Sequence, residues 1–141
     1  MKTGINGFNL IREFEGLRLQ AYKCPADIWT IGYGHTIDVS ANDVITAEQA
    51  FSLLCQDVAE VERAVNLYVH VTLTQNQFDA LVSFAFNLGI ENLRTSTLLK
   101  KLNTGDVDGA SREFGRWIHV GSKTLLGLVR RREAERVLFM K

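Results

Sequence analysis

Glu13-Phe-Glu-Gly-Leu-Arg-Leu-Gln-Ala-Tyr-Lys-Cys-Pro-Ala-Asp-Ile-Trp-Thr-Ile-Gly-Tyr-Gly-His-Thr36 decides how this chain folds. Just upstream, Phe8, Ile11 and Phe14 recur every three residues, and Leu10 and Phe14 are four apart. That is the stripe of an amphipathic helix over about 4–14. Gly16 is a natural stop and leaves Glu15 in the last turn. The carbonyl end of a helix dipole disfavours an anion there, a field that suits a proton donor. Leu17, Leu19 and Ala21 then alternate with Arg18, Gln20 and Tyr22, as a strand does. Pro25, the only proline, turns the chain and biases Cys24 away from helical dihedrals. Ile28 to Tyr33 reads as the return strand, in which Gly32 and Gly34 mark a bulge or a close backbone approach. A carboxylate (Glu15), a thiol (Cys24) and a hydroxyl (Thr30) are thus delivered to one hairpin by three elements, an arrangement that suits a hydrolase.

Beyond the hairpin, residues 38–45 are polar and loop-like. Thr46-Ala-Glu-Gln49 is a capping box. It opens a helix carrying Ala50, Leu54, Val58, Val61 and Val65 on one face, ending near Leu67 and long enough, at ~30 Å, to join two lobes. Thr74-Gln-Asn-Gln77 is a second capping box, opening a helix with Phe78, Leu81, Val82, Ala85 and Leu88 that stops at Gly89. Short helices are expected over 96–103 and from Asp106 to Trp117, a turn at Gly121-Ser122, and a last helix over 126–140. The expected fold class is α+β and mostly helical: a two-lobe single domain over 1–141. A small β-hairpin lobe covers about 1–45, a linking helix about 46–67 and a helical lobe about 68–141.

The composition narrows the function. The chain has 141 residues, 46% of them hydrophobic, enough for a real core. Sixteen basic and sixteen acidic residues cancel, which argues against nucleic acid as a partner. No apolar run approaches the ~18 residues of a membrane span, so stable membrane insertion is not expected. Polar residues break the N-terminal apolar ones, unlike a signal peptide, which reads as a protein made in the cytoplasm. Two cysteines make no disulfide framework and read as reduced thiols. Three scattered histidines without His-Glu-x-x-His or Cys-x-x-Cys imply no metal, and Gly32-Tyr-Gly34 is no dinucleotide fingerprint; no cofactor is expected.

Glu-Gly-Leu-Arg-Leu19, Tyr-Lys-Cys24 and Trp-Thr-Ile-Gly-Tyr-Gly-His35 together resemble the phage lysozyme (endolysin) family, glycoside hydrolase family 24. The resemblance continues through Gln75-Asn-Gln-Phe-Asp-Ala-Leu81, Phe84-Ala-Phe-Asn-Leu-Gly89, Arg116-Trp117 and Gly127-Leu-Val-Arg-Arg-Arg-Glu-Ala-Glu-Arg136, so it spans nearly the whole chain. It implies hydrolysis of the β-1,4 bond between N-acetylmuramic acid and N-acetylglucosamine in peptidoglycan. It also implies Glu15 as general acid, with Cys24 and Thr30 positioning or activating a water on the far side of the sugar. Inverting chemistry of that kind keeps its two groups about 6.5–9.5 Å apart. Phe86, Asn87 and Thr97 would hold the sugar, His35 would pair with Asp57, and Arg130 would reach Glu15. The partners implied are peptidoglycan glycan strands. The chain would be a monomer of phage origin whose release needs a holin.

The residues themselves leave alternatives. A free thiol is a poor resting base, with a pKa of ~8.5. Cys24 is a base used as thiolate, a nucleophile, a weak helper of Thr30, or a small buried filler. Lys23 would lie on the opposite strand face. Asp27 reads as turn chemistry. Phe86 reads equally as core, and Arg130, Arg131, Arg132 and Arg136 by default as a solvated helix face. Cys55 reads as a buried thiol, and its pairing with Cys24 as a remote alternative. The rival functions are a weakly catalytic peptidoglycan-binding module, a lytic transglycosylase, and a plain structural helical domain.

Overall fold

The computed structural model describes every residue from Met1 to Lys141. Helix α1 runs Ile5–Glu15. It carries no cap of its own at the N-terminus. The Asp79 carboxylate supplies one, accepting from Gly4 N at 2.8 Å and Gly7 N at 3.0 Å. Asp79 is 1% exposed, so these charge-assisted bonds form away from water. Gly7 is required by that approach, because a Cβ there would lie 2.9 Å from Asp79 Cγ and 2.7 Å from Thr3 Cγ2. The other end stops as expected: Gly16 takes φ +71° and its N–H donates to Arg12 O at 3.0 Å.

Strand β1 (Arg18–Lys23) pairs antiparallel with β2 (Trp29–Gly32), Tyr22 opposite Thr30 and Lys23 opposite Trp29, with an irregularity between Arg18 and Tyr22. The alternation of β1 does not translate into a buried face, and Leu17 and Leu19 stay 40% and 42% exposed. β1 is instead flanked on both edges. The stretch read as loop returns to it, Ile45 N donating to Leu19 O and Ala21 N to Asp43 O, each at 2.9 Å.

Helix α2 (Ala47–Tyr68) opens on the predicted capping box, Gln49 N to Thr46 Oγ1 at 3.1 Å and Thr46 N to Gln49 Oε1 at 2.9 Å. All five residues of its predicted face are buried. α3 (Gln75–Leu88) has the second box around Thr74 and Gln77. Three elements went unread. α4 (Ile90–Thr95) is too short to show a period and buries only Leu93. β3 (His119–Val120) and β4 (Lys123–Thr124) form a two-residue hairpin about Gly121-Ser122. α5 is Thr97–Asn103, and α6 is Val107–Glu113 with its Asp106 cap. α6 ends before Trp117, and a 3-10 turn follows over Phe114–Arg116. α7 is Leu126–Phe139. Aromatic edges tie this region together: Phe84 meets Phe114 at 5.5 Å and Trp117 at 5.6 Å, and Phe114 meets Phe139 at 5.3 Å.

The chain groups into two compact units, Ile11–Glu60 and Met1–Leu10 with Val61–Lys141. The zero net charge hides a division between them. Ile11–Glu60 holds three basic and eight acidic residues, a net −5, and the other unit thirteen basic and eight acidic, a net +5.

Candidate active site

Five of the predicted site residues, Glu15, Cys24, Thr30, His35 and Asp57, lie in the Ile11–Glu60 unit with the hairpin. Glu15 is half-buried in the last turn of α1. Its carboxylate lies against the turn after β2, where Ile31 and His35 exchange both backbone hydrogen bonds at 2.9 Å. Gly34 in that turn has φ +86°, and a Cβ on it would stand 3.3 Å from Glu15 Oε1. The Gly-rich end of the hairpin is therefore the close approach that its composition suggests, and the group approached is Glu15.

Cys24 sits where the hairpin turns. Its N–H donates to Ile28 O at 3.0 Å and its carbonyl accepts from Asp27 N at 2.8 Å. Asp27 takes φ +63°, the left-handed position of a three-residue hairpin loop, so its role is in the turn. The Ile28 backbone N–H holds the Cys24 thiol below its usual pKa. Burial opposes this, and the Ala26 amide and the Thr30 side chain add to the lowering. The thiolate is thus favoured by backbone amides and needs no lysine. Lys23 is engaged elsewhere, 3.2 Å from Asp27 and 5.4 Å over the Trp29 ring. Thr30 is 3% exposed, and its hydroxyl, with one hydrogen to give, is within reach of both Ile28 O, at 2.9 Å, and the Cys24 thiol. Neither Cys24 nor Cys55 forms a disulfide. His35, also in this unit, meets Asp57 of α2, Nδ1 to Oδ2 at 2.8 Å.

The other predicted residues lie in the second unit. Phe86 is half-buried and Asn87 exposed at the end of α3; Thr97 is exposed as the first residue of α5, behind the Ser96 cap. Arg130 is exposed on α7. Its neighbours correct the reading of that cluster as a solvated face, since Arg131 and Arg132 are 3% and 1% exposed. Both serve the fully buried Glu135, Arg131 Nε at 3.3 Å and Arg132 Nε at 2.7 Å, and Ser83 Oγ donates to Glu135 at 2.6 Å. Burial pushes the Glu135 carboxyl up, against the pull of the two guanidinium groups, and pushes Arg132 down. The spacing of Arg131 and Arg132 four and three residues before Glu135 was the available sequence signal. Arg132 Nη2 also donates to Asn87 Oδ1 at 2.8 Å, which ties a predicted sugar contact to this core.

Residues 12–135 match the family model described as phage lysozyme. An endolysin of Acyrthosiphon pisum secondary endosymbiont phage 1 is 52% identical over 99% of this chain and 98% of its own. Among solved structures, the muramidase domain of SpmX from Asticaccaulis excentricus superposes with a TM-score of 0.94 at 44% identity, covering 99% of this chain and 98% of that one. A P22 lysozyme mutant gives 0.92 at 38% identity, over 100% and 99%. No helix is long and apolar enough to cross a membrane.

Proposed function

The chain belongs to the phage lysozyme family, and from that membership we propose that it is an endolysin of the glycoside hydrolase family 24 type, cutting the β-1,4 bond from N-acetylmuramic acid to N-acetylglucosamine. As a lysozyme it is a glycosidase of bacterial peptidoglycan. The observation that supports the residue roles best is the placement of the Glu15 carboxylate against Gly34 at the end of the hairpin that carries Cys24 and Thr30.

In this reading Glu15 protonates the glycosidic oxygen as the bond breaks. Cys24, held toward thiolate by the turn amides, takes a proton from a water on the opposite face of the sugar, and Thr30 orients that water. Water attacks the anomeric carbon, the bond to the leaving sugar breaks, and the configuration inverts. Phe86, Asn87 and Thr97 hold the sugars, with an aromatic face and polar groups suited to acetamido rings. A small N-terminal lobe over about 1–45, a linking helix over about 46–67 and a helical lobe over about 68–141 form the working domain. The protein acts as a monomer, accumulates in the host cytoplasm, and reaches the wall with a holin.

Digestion of purified walls, followed by NMR of the released sugars, tests this. Wild type is expected to clear the suspension and release reducing ends of inverted configuration, and Glu15→Gln to stop the reaction. An anhydro-sugar product would identify a transglycosylase instead, and binding without clearing a wall-binding module.

A further inference from the structure

We propose that Arg132 is a positioning residue for substrate recognition. It turns the Asn87 side chain so that the amide NH2, and not the amide oxygen, is presented to the sugar. That subsite then selects a hydrogen-bond acceptor, the carbonyl of an N-acetyl group. The inference rests on the reading of this chain as a peptidoglycan glycosidase with Asn87 at the sugar.

The orientation follows from the chemistry of the pair. A guanidinium has five N–H donors and no acceptor. Arg132 Nη2 lies 2.8 Å from Asn87, so the atom of the amide that faces it is the oxygen. The usual ambiguity between amide oxygen and nitrogen is thereby removed. The two hydrogens on Asn87 Nδ2 point away from Arg132, on a residue that is itself exposed.

Arg132 is fixed from several sides. Its Nε lies 2.7 Å from Glu135 Oε1 and its Nη2 3.2 Å from Oε2. Nη1 lies 3.4 Å from the Trp117 carbonyl oxygen, and the guanidinium stands 5.4 Å from the Phe84 ring centroid. Ser83 holds Glu135 in turn. A buried cation so held keeps the amide in one orientation and polarises it, which strengthens the outward NH2 as a donor. An acetamido carbonyl accepts from that NH2. A de-N-acetylated sugar offers an ammonium, which has only donors and is repelled by the nearby guanidinium. Discrimination of this kind is large where a site is built to hydrogen-bond the missing group.

The experiment compares kcat and KM on fully N-acetylated peptidoglycan and on the same material after de-N-acetylation. Wild type is expected to prefer the acetylated polymer by about tenfold. Asn87→Asp keeps an oxygen for Arg132 and loses the NH2. Its KM on the acetylated polymer should rise about tenfold with kcat within about twofold, and its preference should vanish or reverse. Arg132→Gln should lower the preference likewise, because a glutamine can present either end of its amide to Asn87. If it does not fold, Arg132→Met, which offers Asn87 no donor, takes its place. Asp79→Asn, which weakens the fold elsewhere, should leave the preference untouched. Preference retained in Asn87→Asp or in a folded Arg132 variant overturns the proposal. Wild type that fails to cut the acetylated wall overturns the functional reading instead, so the two failures are distinct.

Discussion

Asp57 Oδ2 lies 2.8 Å from His35 Nδ1, while the other ring nitrogen, Nε2, faces the Ile37 carbonyl oxygen at 2.9 Å. Each ring nitrogen therefore faces an oxygen acceptor, one a carboxylate and one a carbonyl. The imidazole thus fastens the turn beside Glu15 to α2, within one compact unit. The side chains are 10% and 21% exposed, so water screens the pair little. Its coupling energy should be about 1.5–3 kcal/mol, the range for hydrogen bonds to charged groups. Urea unfolding of His35→Gln, Asp57→Asn and the double variant measures it. Strict additivity of the two single changes would remove the pair from the account.

Cys24 should titrate as an activated thiol. Its pKa is lowered chiefly by the Ile28 amide, then by Ala26 and the Thr30 side chain, with burial opposing. The folded state therefore favours the thiolate. This support for folding is present above the unfolded thiol pKa and is lost as pH falls through the folded one. The rate of alkylation by iodoacetamide should rise with pH about a midpoint below that of free cysteine, and Thr30→Val should move the midpoint back up. A midpoint at or above that of free cysteine would refute the thiolate.

The Asp79 carboxylate caps α1 from a distant helix through Gly4 N and Gly7 N. Asp79→Ala strands both amides and should cost about 2–3 kcal/mol in chemical denaturation. Gly7→Ala should be destabilising as well, because the new methyl would press on Asp79 and Thr3. Wild-type stability in both variants would mean that the cap adds nothing.

What was legible in the sequence was local. Thr46 and Thr74 cap helices that start within three residues of them, so their boxes are visible as spacing. The Glu15–Gly16 stop and the Cys24–Asp27 turn are likewise set by neighbours in the chain. The cap on α1 was not legible because its acceptor stands seventy-two residues beyond Gly7. Arg131 and Arg132 read as surface because burying two cations is rare; their partner Glu135 is on the same helix, and what the spacing did not show is that α3, with Ser83, covers all three. β1 misled in the other direction. Its alternation is real, but a two-stranded sheet flanked by a returning loop offers Leu19 no deep core.

The division of charge predicts how the protein meets a wall. In the Val61–Lys141 part, Glu62, Glu113 and Glu135 are buried, and Glu91 and Glu133 are paired with Arg94 and Arg136. The cations Lys100, Arg112, Lys123 and Arg130 remain exposed. Attraction to an anionic polymer follows, and salt screens it over ~10 Å at 0.1 M. Retention of Glu15→Gln on wall sediment should fall severalfold as ionic strength rises from about 0.05 to about 0.5 M. Salt-independent retention would show that exposed charge plays no part.

Glu135 has no exposure, yet it meets Arg131 Nε at 3.3 Å, Arg132 Nε at 2.7 Å and the Ser83 hydroxyl at 2.6 Å. Burial alone would neutralise such a carboxyl, and the two guanidinium groups oppose that. Removing one partner leaves buried charge without compensation, which is costlier than never having had the pair. Glu135→Gln should therefore lose about 3–5 kcal/mol. Ser83→Ala, which removes one neutral donor to a charged acceptor, should lose about 1.5–3 kcal/mol. Both are read from the midpoint of urea unfolding at constant slope. The order matters more than the values. If Ser83→Ala proves the more damaging, the hydroxyl and not the ion cluster holds α7 to α3.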